Sequence, residues 1–236
     1  MPETTLAQRL EKLRADLADA AAQGGWPAPK LIAVSKTHPL EEILPLKELG
    51  VTEVGENRVQ EIRSKLPGLK ENFNIHLIGQ LQRNKVRAII GDVCLIQSLD
   101  RWELALEIDR QAQAHGLRMP ALVQLSPAGE PQKGGLPPEE AGDFIRRCAS
   151  LPGLEVRGLM AVMPDWRDEA ALEPLFREMR TRFDRLRDEA PGGAVLTELS
   201  MGMSGDCLIA ARCGATMVRV GSAIFGPRVY PDRPAV

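Results

Sequence analysis

The chain has 236 residues, with 30 Lys and Arg against 32 Asp and Glu, for a formal net charge of -2. That balance leaves no basic footprint for a nucleic acid or an anionic membrane surface. At 44% hydrophobic and 4% aromatic the composition is ordinary for a globular protein long enough to bury a full core, and no apolar run approaches the length needed to cross a bilayer.

Charges interrupt the first 25 residues every few positions, so they are not a signal peptide, and a cytoplasmic location is expected. Leu6, Leu10, Leu13 and Leu17 fall at helical spacing behind a Thr5–Gln8 capping box. "LIAVSKTHP" follows. Its aliphatic residues predict a buried strand over 31–37, stopped by Pro39 and carrying Lys36 near its end. A lysine there either snorkels to water or is held at the edge of a core for a purpose. Pro39-Leu40-Glu41-Glu42 then opens a helix. Further strands are predicted over 51–55, 75–79 and 93–98, with the basic cluster at 82–87 as a solvated helix face, and Asp100 to Glu103 resembles a second capping box.

A strand over 121–126 leads into the one long irregular stretch, 126–140, and Pro138-Glu139-Glu140 opens the next helix. A strand over 156–163 precedes a helical stripe of Leu172, Leu175, Phe176, Met179, Phe183 and Leu186. The last strands are placed at 195–201 and 217–225, with Gly214 as a helix C-terminal glycine between them. Eight strands alternating with helices over this length predict a (β/α)8 barrel, which typically has about 250 residues. The competing open doubly wound sheet lacks its Gly-x-Gly-x-x-Gly after the first strand. With no linker, low-complexity segment or strong repeat, residues 1–236 read as a single domain. Cys94, Cys148, Cys207 and Cys213 form no CxxC pair and the three histidines are scattered, so no metal site or disulfide framework is expected and the thiols read as small core residues.

Barrels of this kind carry their chemistry at the C-terminal ends of the strands. Lys36, Glu56-Asn57, Gln80, Ser200 to Ser204 and Gly221-Ser222 all fall at such ends. A lysine at the mouth of an apolar barrel is partly desolvated, which favours a nucleophilic amine. In "LSMGMSGD" Ser200 and Ser204 supply hydroxyls, while Gly202 and Gly205 admit a close backbone. The new helix start there favours an anion. Asp206 competes for the same dipole end, which leaves an ordinary N-cap as the alternative. Gly221 and Ser222 add a second loop, and loops after the seventh and eighth strands often build a phosphate site. Arg219 shares an inward face with Gly221 and needs a partner, either a barrel carboxylate such as Glu198 or Glu53, or a ligand acceptor. A lysine amine, a phosphate cradle and a strand arginine together suit pyridoxal 5′-phosphate: an imine to Lys36, loops on the phosphate, Arg219 on the pyridine nitrogen.

With "AVSKTHP", "VGENRVQE", "HLIGQLQRNK", "RGLMAVMP", "LSMGMSGD" and "MVRVGSAIFG" in this order between residues 31 and 226, the chain resembles the pyridoxal phosphate homeostasis protein family. These are the single-barrel relatives of alanine racemase's N-terminal domain. The resemblance implies a barrel of pyridoxal-phosphate fold type III with an extra N-terminal helix. It also implies that Lys36 carries the cofactor and that Asn57, Ser200, Arg219, Gly221 and Ser222 line its site. His38, Arg58, Ser126 and Pro131 depart from the family pattern, whereas Glu130, Lys133 and Gly135 keep it.

The family points to a cofactor carrier that manages intracellular supply, with pyridoxal-phosphate-dependent apo-enzymes as acceptors and no assigned catalytic residue. The alternative is an amino-acid racemase, which benefits from a base on each face of the imine. Tyr230, His38, Cys207 and His76 are weak candidates for the second, and His76 reads as a satisfied core histidine. A lysine-imine aldolase would need general acids that the mouth does not supply. The racemase's second domain is missing, which favours a monomer.

Overall fold

Eight parallel strands close into a barrel in chain order, each pairing with the next and the last with the first. The structure is a computed structural model that describes residues 4–129, 134–166 and 168–226. The strands are β1 (Lys30–Val34), β2 (Glu53–Glu56), β3 (Asn74–Leu77), β4 (Leu95–Leu99), β5 (Met119–Leu125), β6 (Leu154–Ala161), β7 (Glu198–Ser200) and β8 (Met217–Val220). Their apolar residues alternate between two cores, as the period of a strand requires. Ile32, Leu95, Leu122, Met160 and Met217 fill the barrel, while Ala33, Val54, Ile75 and Val218 face the helices.

Helix α1 (Leu6–Gln23) begins at the predicted cap: Thr5 Oγ1 accepts from the Gln8 amide at 3.2 Å, and Gln8 Oε1 accepts from the Thr5 amide at 3.0 Å. It buries Leu10, Leu13 and Leu17, and Arg9 Nε donates to the Ile224 carbonyl at 2.7 Å. Pro39 caps the short α2 (Leu40–Ile43), which runs into α3 (Pro45–Glu48). Next come α4 (Val59–Lys70), α5 (Trp102–Ala114), α6 (Ala141–Cys148) and α7 (Glu169–Glu189), whose predicted stripe is buried at Leu172, Phe176, Met179, Phe183 and Leu186. The chain continues through α8 (Cys207–Arg212) and α9 (Ser222–Phe225). None of the described helices is long and apolar enough to cross a membrane.

Three local expectations are corrected. The strand placed at 217–225 stops at Val220, because the Gly221 carbonyl accepts from the Ile224 and Phe225 amides and turns an apolar run into α9. The capping box at Asp100 does not form. Helix α5 starts one residue later behind Arg101, with no side-chain cap, and Asp100 instead pairs with the Arg101 guanidinium. Cys148, Cys207 and Cys213 are buried as expected, but Cys94 is exposed, just before β4 at the barrel's N-terminal end.

Candidate functional site

At the C-terminal ends of the strands lies a cavity of about 340 Å³. Lys36, Asn57, Arg219, Gly221 and Ser222 all line it, so the barrel brings together five of the six residues singled out in the sequence. The half-buried Lys36 projects from the turn after β1, where Thr37 adopts φ +68°. A non-glycine residue in that left-handed region carries strain of order 1 kcal/mol or more. The surroundings impose it: Glu61 accepts from the Thr37 amide at 2.7 Å, and the buried Ser35 hydroxyl donates to Glu56 Oε1 at 2.7 Å. Lys65 of α4 closes the brace, donating to the Ser35 carbonyl at 3.1 Å and to Glu56 Oε1 at 2.9 Å. Both flanks of Lys36 are thereby tied to α4. Gly79 matters on the neighbouring wall, since a Cβ there would lie 2.3 Å from the Asn57 carbonyl oxygen.

Glu56, unlike Asn57, turns away from the cavity. It is fully buried, and its Oε2 has no hydrogen-bond partner. Desolvation pushes its carboxyl above the ordinary range, with Lys65 and Ser35 opposing. A carboxyl raised in the folded state gives stability that is complete below its unfolded pKa and lost as pH rises through the folded one. In urea titrations between pH 4.5 and 7.5, Glu56→Gln should therefore gain on the wild-type protein as pH rises. A constant difference would mean that Glu56 is ionised throughout.

Arg219 is buried at the cavity floor. Neither expected carboxylate partners it: Glu198 accepts from Thr216 Oγ1 at 2.9 Å, and Glu53 pairs with His76. The guanidinium instead donates to Ser200 Oγ at 2.7 Å and to the Ala161 carbonyl at 2.8 Å. Burial lowers its pKa to about 10, against the charge of Asp206, so it stays cationic near neutral pH. Ser200, the sixth expected residue, is therefore not a cavity hydroxyl. It is fully buried one layer below, accepting from Arg219 and donating to Gln97 Oε1 at 2.7 Å. Gln97 Nε2 meets His76 Nδ1 at 3.0 Å, and His76 Nε2 meets Glu53 Oε2 at 2.8 Å. A polar chain thus runs down the barrel from the cavity floor to the start of β2. His76 is the satisfied core histidine the sequence suggested. Gln97 was not anticipated; its inward position on β4 was the available signal.

The loops after β7 and β8 meet at Ser204, whose Oγ accepts from the Gly221 amide at 3.1 Å. Gly202 turns the first loop with φ +93°, and a Cβ there would lie 2.5 Å from that of Ala210. Its carbonyl accepts from the Arg219 amide at 2.9 Å, which fixes the loop over β8. Asp206 spends Oδ1 on the Met203 amide at 2.5 Å. Among the described residues, Ser204 and Ser222 are the hydroxyls that line the cavity, beside Gln80, Gln124 and Met203.

His38 is outside the lining. Its ring stacks on Phe225 at 4.1 Å, and its Nδ1 lies 2.7 Å from Glu42 Oε2. Burial pushes the Cys207 thiol up to about 11. Arg58 precedes α4 as its N-cap, and Ser126 lies just past β5. Glu130, Pro131, Lys133 and Tyr230 lie outside the described residues.

Residues 8–229 match the family model described as alanine racemase, N-terminal domain. A pyridoxal phosphate homeostasis protein of Aquifex aeolicus is 40% identical over 202 residues, covering 85% of this chain and 88% of its own. One of Pasteurella multocida is 37% identical over 231 residues, covering 96% and 99%. Among solved structures, PipY of Synechococcus elongatus PCC7942 with PLP bound superposes with a TM-score of 0.82 at 36% identity, covering 94% of this chain and all of that one. Alanine racemase of Bartonella henselae, at 15% identity and a TM-score of 0.72, shares the fold over 61% of its length.

Proposed function

From the premise that the chain belongs to the pyridoxal phosphate homeostasis protein family, we propose that it binds pyridoxal 5′-phosphate in the cavity at Lys36. It holds the cofactor for exchange rather than for turnover. The residues present fit the group: an amine on one wall, a buried guanidinium on the floor, and two hydroxyl-bearing loops cross-linked by the Ser204–Gly221 bond. When bound, the cofactor supplies an aldehyde reactive toward amines and a ring that accepts electrons when its nitrogen is protonated. Lys36 provides the amine. Ser204 and Ser222 hold the phosphate, and the Gly221 amide fixes the first of these hydroxyls. Asn57 flanks the ring, and Arg219 donates to the ring nitrogen.

The observation that carries the carrier reading is Arg219. A buried cation fixed by a hydroxyl and a carbonyl keeps a proton off the nitrogen it faces, so the ring remains a poor electron sink. The wall opposite Lys36 agrees with it. Among the described lining residues there is no acid, histidine, cysteine or tyrosine to act as a second base. Residues 1–236 act as one barrel unit, a monomer of the cytoplasm, and pyridoxal-phosphate-dependent apo-enzymes are the acceptors.

Borohydride reduction of the reconstituted protein tests the reading. Mass analysis should find pyridoxyl phosphate on Lys36, and L-alanine in deuterated water should yield little α-deuteration and no D-enantiomer. Robust racemisation would restore the racemase alternative. Phosphate anchorage has its own test in the double variant Ser204→Ala with Ser222→Ala. Each hydroxyl bonded to a charged group is worth about 1.5–3 kcal/mol, so pyridoxal phosphate affinity should fall by roughly 100-fold or more. Pyridoxal without phosphate should bind both proteins about equally; unchanged discrimination would place the phosphate elsewhere.

A further inference from the structure

At the opposite end of the barrel, Glu53, His76 and Cys94 come from three separate segments, and their ligand-type atoms all lie within 4.8 Å of one another. Strand register assembles them. Glu53 opens β2, His76 sits inside β3, and Cys94 immediately precedes β4, where Leu95 pairs with His76. We propose that these three side chains form a binding site for a zinc-class divalent transition metal, separate from the cofactor cavity.

The donor set selects that class. A thiolate, an imidazole and a carboxylate suit a borderline ion such as Zn²⁺ or Co²⁺, whereas magnesium and calcium favour oxygen alone. Bond lengths of about 2.0–2.3 Å require the donors to surround a point roughly 2 Å from each, which a spread under 4.8 Å permits with small side-chain rotations. Three protein ligands leave the fourth position to water.

The supporting contacts are those a metal site needs. Behind the imidazole, His76 Nδ1 is met by the Gln97 amide at 3.0 Å, so the ring is oriented from the rear with Nε2 toward Glu53. Behind the carboxylate, Glu53 Oε1 accepts from Asn74 Nδ2 at 3.0 Å and leaves Oε2 to face His76. Access exists as well, because Cys94 is exposed and Glu53 borders a surface cavity of about 210 Å³ beside Lys30 and Thr52. Binding releases one proton, that of the Cys94 thiol, which otherwise donates to the Ile75 carbonyl at 3.3 Å. The imidazole stays neutral: its proton moves from Nε2 to Nδ1, and the Gln97 amide turns over to accept it, so that Gln97 Nε2 donates to Ser200 Oγ in place of the bond Ser200 now gives to Gln97 Oε1.

The site rests on no property of the cofactor, so its test is independent of the function proposed above. Cobalt chloride titrated into the full chain in phosphate-free buffer should saturate at one ion per chain. Thiolate-to-cobalt charge-transfer absorption and the visible bands of a tetrahedral ion should appear. Cys94→Ser, at an exposed position, should fold normally, lose the charge-transfer absorption and bind zinc at least about tenfold more weakly. Glu53→Gln should retain that absorption at saturation and show a similar loss of affinity. Zinc should raise the melting temperature of the wild-type protein and not that of Cys94→Ser. No charge-transfer absorption in the wild-type protein, or an undiminished one in Cys94→Ser, would overturn the assignment.

Discussion

Lys36→Ala should abolish covalent attachment of pyridoxal phosphate and leave the barrel folded. Lys36 is half-buried on a turn whose geometry comes from its neighbours: Ser35 is tied to Glu56, and the Thr37 amide to Glu61. Alanine keeps that backbone and removes the amine with its half-exposed methylene stem, so the cost in stability should stay within about 1 kcal/mol. The cofactor's effect is much larger. Without the amine the bound aldehyde can attach only elsewhere, and the absorption of lysine-bound cofactor should vanish while phosphate-dependent binding persists at reduced affinity. Melting curves with and without pyridoxal phosphate separate the two effects, since a ligand that binds only the folded state raises the transition with its concentration. A borohydride-stable adduct in the variant, located by peptide mass, would move the attachment to another lysine.

Much of this arrangement is legible in the sequence because it depends on periods and on where strands end. The order of eight strands, the capped first helix and the positions of Lys36, Asn57, Arg219, Gly221 and Ser222 around one cavity follow from alternation and from the rule that barrel chemistry sits at strand C-termini. What depends on register across strands is not legible. Ser200 and Ser204 stand four residues apart beside the same glycines, and nothing local distinguishes them. Arg219, reaching across from β8, takes the Ser200 hydroxyl into the barrel and leaves Ser204 to the cavity. Likewise "GSAIF" reads as a continuing strand until the Gly221 carbonyl receives two amides and its own amide finds Ser204. Glu53, His76 and Cys94 are more than 15 residues apart in pairs, and only the pairing of β2, β3 and β4 makes them neighbours.

Replacing Arg219 is expected to have the largest effect, on stability and on the behaviour of the bound ring alike. Both of its mapped side-chain contacts are acceptors, Ser200 Oγ and the Ala161 carbonyl. Arg219→Glu would set a buried, unpaired carboxylate against that carbonyl, and the desolvation penalty of such an ion is several kcal/mol. Typical total stability is only about 5–15 kcal/mol, so the denaturation midpoint should fall sharply. Arg219→Gln retains an amide donor toward Ser200 or Ala161, lacks the charge, and should fold at a smaller cost, so the electrostatic argument survives a misfolded glutamate variant. On the binding mode proposed above, the guanidinium withholds a proton from the ring nitrogen of the wild-type protein. Either substitution relaxes that restraint, and a carboxylate favours the protonated ring outright. With L-alanine in deuterated water, α-deuteration should therefore be negligible in the wild-type protein, detectable in Arg219→Gln and fastest in whatever fraction of Arg219→Glu folds and binds cofactor. D-alanine should stay near background in all three, because Lys36 still serves one face alone and the cavity wall presents no described acid or imidazole to the other. Equal exchange in the wild-type protein and both variants would show that Arg219 does not control the ring nitrogen, and the carrier would need another explanation for its low reactivity.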